Sequence, residues 1–252
     1  CTACGYVTAQ ETIPAAGGSS GGGSSGGGSS DRPSSSGGGS SNSTTTKNPD
    51  GSSTTTTTNP STGTVTQTTR NPDGSQITVE TKKDGTVTST EKAKDGSTVK
   101  TVKKPDGSSE TTVKRADGVT AEVQTAPNGN AGAEVRFPAK LADEARKNGE
   151  KVSVPVPALP AEAGISSTVT IRTDSFQPLT VEIPLQRPAA GIVAAVVNPD
   201  GTETILKTSL PTANGIVLPV SAGVSVKLLD NRKPFADPVN HWAGDVIDFV
   251  YA

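Results

Sequence analysis

Between residues 44 and 130 short runs of Thr, Val, Ile and Ser alternate with single glycines in a regular rhythm. The glycines are Gly51, Gly63, Gly74, Gly85, Gly96, Gly107, Gly118 and Gly129, and after one step of twelve residues every step is eleven. Asp or Asn precedes all of them except Gly63, as in Asn71-Pro72-Asp73-Gly74 and Pro105-Asp106-Gly107. Proline presets φ, aspartate tolerates left-handed geometry and glycine takes a positive φ without steric cost, so each group predicts a tight turn. The segments between turns, such as 86–91 and 97–102, are β-branched and partly alternating, which predicts one strand per unit. A period of eleven also fits a right-handed helical coil, but a glycine in every unit and the excess of threonine exclude it. An antiparallel meander of hairpins is the favoured arrangement, with a thin β-solenoid of one coil per repeat as the alternative.

Apolar residues are sparse in these repeats. Each unit from Val65 to Val123 holds one or two Val or Ile, and none occurs from Thr44 to Ser61. A sheet with so little to bury is weakly stable. Order is therefore expected to rise toward Val99, Val102, Val113, Val119 and Val123, and the threonine run at 44–61 is expected to fray.

Residues 131–230 have the density of apolar positions that a conventional core needs. A short helix is predicted over 138–148, with proline at its start, Leu141 and Ala145 on one face, and Gly149 as a left-handed stop. Seven short β-branched segments follow at 152–156, 168–172, 179–184, 192–197, 202–207, 216–220 and 224–229, separated by Pro, Gly or Asn. Asn198-Pro199-Asp200-Gly201 reads as a hairpin turn between two of them. This spacing predicts a β-sandwich or small barrel. The fold class expected for the whole chain is mainly β: a disordered Gly/Ser tether, an eleven-residue antiparallel β-meander, and a β-sandwich with one short helix and a C-terminal truncated helix.

The two ends differ in character from this middle. Residues 17–43 are almost entirely Gly and Ser and behave as a flexible coil, with an end-to-end distance of roughly 25 to 30 Å for a linker of this length. The last eighteen residues, by contrast, hold four of the chain's seven aromatics and its only Trp and His. Asp237-Pro238 disfavours helix, Asn240 is a good N-cap, and Trp242, Val246, Ile247, Phe249 and Val250 then form an apolar stripe on a predicted helix. A helix of about ten residues is marginal alone, so this stripe needs a partner, and the chain reads as cut.

Phe235-Ala-Asp, then His241-Trp242-Ala243, then Ile247-Asp248-Phe249 resemble the first third of an S-layer homology domain, a module that holds proteins on bacterial cell walls. The resemblance covers about 20 of 252 residues. It implies non-covalent binding to a secondary cell-wall polysaccharide, by a complete anchor that extends beyond this chain. Phe235, Asp237, His241, Trp242, Ala243 and Ile247 are the positions that carry over, mostly as fold-making residues. The family's Thr-Arg-Ala-Glu helix start is absent, so this chain alone is not expected to bind wall polymer.

Cys1 and Cys4 are open to three readings. They are weak candidates for half of a zinc site, although a tetrahedral site needs four ligands and the single His lies far along the chain. Cys1 also fits the lipidated residue of a mature lipoprotein. The preferred reading is a resemblance: Cys1-Thr-Ala-Cys4-Gly-Tyr-Val is similar to the end of short CxxCG-type repeats in large clostridial surface proteins. The resulting organisation is 1–16 for that repeat end, 17–43 linker, 44–130 hairpin repeats, 131–230 sandwich-like domain, and 231–252 the incomplete anchor module.

Composition adds exclusions. With 23 Lys and Arg against 25 Asp and Glu, the formal net charge is −2, so nucleic acid is not an expected partner. No apolar run is long enough to cross a bilayer, and no membrane insertion is expected. Within residues 44–130 the 11 basic and 10 acidic side chains intermingle along the chain, as on a solvated sheet. Calcium is disfavoured because each turn offers one Asp, whereas repeat-type sites need several ligands per loop. The threonine run permits O-linked sugar and implies no more than that. There is no nucleophile elbow, phosphate loop or dinucleotide fingerprint, and Asp143 and Glu144 read as solvated carboxylates.

No enzyme activity and no cofactor are therefore expected. The reading is a monomeric, non-enzymatic fragment of an extracellular bacterial cell-wall protein, a spacer or stalk linked to a wall anchor. The alternatives are a carbohydrate- or host-ligand-binding surface module, or the non-catalytic part of a secreted hydrolase.

Overall fold

The computed structural model describes residues 42–175 and 177–232. Nine strands come first: β1 (Asn42–Lys47), β2 (Ser53–Thr58), β3 (Val65–Arg70), β4 (Gln76–Thr81), β5 (Val87–Lys92), β6 (Thr98–Lys103), β7 (Ser109–Lys114), β8 (Thr120–Thr125) and β9 (Ala131–Phe137). Each pairs antiparallel with the next, so the repeats form a meander and not a solenoid. The helix α1 (Ala139–Asn148) follows, then β10 (Val152–Ser153), β11 (Ser167–Thr173), β12 (Leu179–Pro184), β13 (Ile192–Val197), β14 (Glu203–Ile205), β15 (Leu210–Pro211), β16 (Gly215–Val220) and β17 (Ser225–Asp230).

These strands make two sheets. The larger has thirteen strands in the order β1 through β9, then β11, β17, β13 and β14. The smaller has four, in the order β10, β12, β16, β15. The meander is thus continuous with one layer of the C-terminal sandwich: all of β8 pairs with β9, from Thr120 opposite Arg136 to Thr125 opposite Ala131. Beyond β9 the chain changes its rule, because β9 and β11 pair in parallel, with Ala131 opposite Ser167 and Phe137 opposite Thr173. A parallel pair needs a crossover connection, and α1 lies within it.

The helix ends as its sequence dictates. Gly149 adopts φ 67°, and two amides close the end, Gly149 N–H onto the Arg146 carbonyl at 3.1 Å and Glu150 N–H onto that of Ala145 at 2.8 Å. That pair of bonds is a Schellman motif. Ala142 and Ala145 are the buried pair on α1, whereas Leu141 is only partly covered.

Burial follows the change in architecture. Every residue of β1 is exposed, β2 to β6 are half-buried at best, and strict alternation begins at β8, where Ala121 and Val123 are buried between exposed neighbours. On β9 the buried set is Ala131, Ala133, Val135 and Phe137. These residues join Val169, Ile171, Val226 and Leu228 of the large sheet and Leu179, Val181, Ile183, Ile216 and Leu218 of the small sheet in one apolar cluster. The core therefore sits where two layers exist, and among the described residues β1 to β6 form a single layer.

The threonine-rich start differs from expectation. Residues 42–47 and 53–58 are paired strands, with Thr45 and Thr55 hydroxyls 2.9 Å apart and Thr54 and Thr69 hydroxyls 3.0 Å apart across neighbouring strands. Backbone pairing and β-branched cross-strand neighbours suffice there without a buried face. The first strand also begins two residues before the linker boundary at 43–44. In the sandwich the segments read at 152–156 and 202–207 contract to β10 and β14, and β15 is an additional short strand.

Phe137 has no exposed surface. Phe137→Ala is expected to lower the unfolding free energy by about 3–5 kcal/mol, the usual cost of deleting a buried ring. Chemical denaturation followed by circular dichroism measures this, and a loss below about 1 kcal/mol would show that the ring is not a keystone of the core.

Candidate functional site

The repeat turns share one geometry. In Asn48-Pro49-Asp50-Gly51 the Gly51 amide donates to the Asn48 carbonyl at 3.0 Å, and the Asn48 amide donates to the Ser52 carbonyl at 2.9 Å. This is a type I turn followed by a left-handed residue, the bulged three-residue hairpin loop. The same two bonds recur at Gly74, Gly85, Gly96, Gly107, Gly118 and Gly129, and again at Gly201 in the sandwich. The eight repeat glycines have φ between 69° and 89°. Gly63 carries the one inserted residue: its amide reaches back four positions, to the Asn59 carbonyl at 2.8 Å, which accounts for the single step of twelve.

The turn aspartates act on their own loops. Asp50 Oδ1 accepts the Ser52 hydroxyl at 2.7 Å and its amide at 2.9 Å, and Asp106 does the same with Ser108 at 2.6 and 2.8 Å. These bonds hold the carboxyls of Asp50, Asp73, Asp106 and Asp200 below the ordinary value, the hydroxyl contributing most. At Asp84 and Asp95 the backbone amide leads. Each carboxylate is a loop brace, and one per turn is far short of a cation cage. Among the described residues no three His, Cys, Asp or Glu side chains gather as a metal site.

Register sorts the strand residues into two faces. One face carries the row Thr46, Thr54, Thr69, Ile77, Glu91, Val99, Val113, Ala121, Val135 and Ile171, which runs from open sheet into the core. Glu91 stands among its apolar members, and partial burial raises its carboxyl above the ordinary value. The opposite face is polar throughout β1 to β7 apart from Val102.

Two polar groupings lie in the sandwich. Glu182 on β12 accepts from Lys151 Nζ at 2.9 Å and from the Thr212 hydroxyl at 2.9 Å, tying the β15–β16 loop to the segment before β10. Arg146 donates to Asp143 at 2.6 Å and to the Ser175 hydroxyl at 2.7 Å, and Ser175 donates to Asp143 at 2.9 Å. Asp143 accepts from both Arg146 and Ser175, so the triangle braces α1 against the segment that follows β11. Phe137 is the only aromatic among the described residues and is buried.

The residues of the anchor resemblance, Phe235, Asp237, His241, Trp242, Ala243 and Ile247, lie outside the described residues, as do Cys1, Cys4, Phe176 and the Gly/Ser linker up to residue 41. Glu91 and the sorting of charge by face were not apparent from the order of residues. Comparison with protein-family models, curated proteins and solved structures returned no match.

Two outcomes follow from the turns. Nothing lies within 4 Å of a Cβ built on Gly96, whose φ is 89°, so Gly96→Ala isolates backbone strain. It is expected to cost about 1–2 kcal/mol, and an unchanged denaturation midpoint would show that the left-handed conformation is not required. For the braced aspartates the native carboxyl titrates below the unfolded one, so the unfolded chain binds the extra protons in between. Their stabilisation is complete above about pH 5 and is lost progressively as pH falls through the unfolded and then the native values. Glu91 contributes with the opposite sign. Asp50/Asp73/Asp106→Asn should flatten the acid limb of a stability profile measured by denaturation from pH 2 to 6; an unaltered limb would place the acid sensitivity elsewhere.

Proposed function

We propose that this chain is a non-catalytic spacer of a bacterial cell-surface protein, holding an outer segment away from a wall-anchoring module at its C-terminal side. The observation that carries the reading is the single-layer part of the large sheet. Among the described residues neither face of β1 to β6 has a second layer over it, so this stretch contributes length. Across strands at about 4.8 Å spacing, the β1–β9 meander is roughly 38 Å wide. The sandwich then supplies the stable body on which the meander is built. The resemblance of residues 235–249 to an S-layer homology module supports placing the protein at the wall, with a secondary cell-wall polysaccharide as the anchor's ligand. A carbohydrate-binding role for the sandwich has less support, because no described aromatic is available to stack on a sugar.

Solution scattering on a chain trimmed to residues 42–232 tests the spacer, because the Gly/Ser linker would by itself lengthen the profile of the full chain. A compact chain of the trimmed length has a radius of gyration of about 16 Å; the expected result is a larger value and a skewed distance distribution with a long tail. A symmetric distribution with a radius of about 16 Å would sink the proposal. Antibodies to the sandwich should label intact cells of the source organism, and label confined to the cytoplasm would overturn the surface assignment.

A further inference from the structure

The polar face of the meander segregates cations that intermingle with acids along the chain. One row of register partners reads Lys47, Ser53, Arg70, Gln76, Lys92, Thr98 and Lys114. Every second strand contributes a cation, no acid interrupts the row, and the spacing of two strands is about 9.5 Å. All four cations are exposed and make no ion pair among the described residues. The row continues through Thr120 to Arg136 and Arg172, but those two are engaged, by Asp174 at 3.0 Å and Glu134 at 2.6 Å.

The neighbouring row on the same face is Thr45, Thr55, Thr68, Thr78, Thr90, Lys100 and Thr112, a strip of hydroxyls with a fifth cation. The acids of this face between β1 and β7 are Glu80 and Glu110, both in the far row, and the neighbouring row continues past Thr112 to Glu122 of β8, diagonal to Lys114 at the end of the track. Glu80 and Glu110 stand four residues along the strand from the row of Lys47, Arg70, Lys92 and Lys114, about 13 Å, which exceeds the screening length of roughly 8 to 10 Å in physiological salt. Asp50, Asp73, Asp95 and Asp117 lie in the turns at the cation end. The first three are turned back onto their own loops, and Asp117 pairs with Arg115 at 2.6 Å. Lys94 and Arg115 sit in the same turns, so cations outnumber carboxylates at this end by six to four.

A line of unpaired point charges beside hydroxyl donors suits a chain of phosphates. Residues 42–130 contain no aromatic side chain, so bases and sugar rings find no stacking platform and recognition can run only through the anionic backbone. We propose that Lys47, Arg70, Lys92 and Lys114 form a binding track for a flexible linear phosphodiester polymer without bases, of glycerol-phosphate type. This inference rests on strand register and stands apart from the anchoring role.

The test titrates the full chain into fluorescently labelled synthetic poly(glycerol phosphate) and reads anisotropy. Four phosphate contacts at about 0.7 each predict a logarithmic salt slope near −2.8, roughly a 50-fold loss of affinity between 50 and 200 mM salt. Lys47→Gln/Arg70→Gln/Lys92→Gln/Lys114→Gln should weaken binding at least tenfold. Lys82→Gln/Lys83→Gln/Lys103→Gln/Lys104→Gln, an equal charge change at the opposite strand end, should shift it less than threefold. Circular dichroism of both variants checks that the sheet is retained. Absence of binding at 50 mM salt, equal loss in both variants, or tighter binding of single-stranded oligothymidine at matched phosphate length would each overturn the proposal.

Discussion

Strand β9 belongs to both halves of the molecule, and the rest of the sheet depends on that double membership. One of its faces lies in the sandwich core, while its two edges bond β8 and β11. The parallel partner exists because the chain crosses over by way of α1, which Gly149 stops in time for the return. On the other edge the chain has only to reverse repeatedly, and each reversal adds one strand to an existing template. Burial then declines with distance from β9, from alternate residues on β8 to none on β1. Resistance to local opening should decline along the same direction, since the outer strands have fewer buried contacts to hold them.

With no second layer among the described residues, the outer meander relies on its backbone ladder, its turns and its cross-strand pairs. Each of these contributes modestly: about 0.5–1.5 kcal/mol net for a hydrogen bond and 0.2–1 kcal/mol for a cross-strand pair. Repetition is what makes them sufficient, and repetition brings a hazard. Ile77, Val79, Val87 and Val99 on one face of a single layer would invite another sheet to stack on them. Glu91, between Ile77 and Val99 in the register, places a charge in the middle of that strip. Its raised carboxyl value records the cost, and solubility of the face is the compensating gain.

The turns were legible in the sequence because their chemistry is local: Pro, Asp and Gly each act on the dihedrals of their own residue and its neighbour. Strand phase followed, since eleven residues accommodate one strand and one bulged loop. The helix stop at Gly149 was readable for the same reason. What could not be read was non-local. Nothing in the alternation of Ala131 to Phe137 distinguishes a strand that joins two architectures from one that begins a new domain. The pairing of the threonine run escaped a reading based on apolar content, because β-branched side chains in register stabilise a sheet without burying it. The cation row was hidden by period: adjacent strands run in opposite directions, so equivalent positions on one face recur at 22 or 23 residues, as from Lys47 to Arg70 to Lys92 to Lys114. A scan at eleven mixes the two ends of the sheet and shows only balanced charge.

The alternation of strand direction also constrains how such a protein can change length. Removing a single eleven-residue unit would deliver the chain to β9 from the wrong end of the sheet and exchange the polar face for the apolar one. Removing two consecutive units keeps both direction and facing, and shortens the sheet by about 9.5 Å. The meander is therefore a ruler graduated in hairpins, whose divisions can be added or deleted only in pairs.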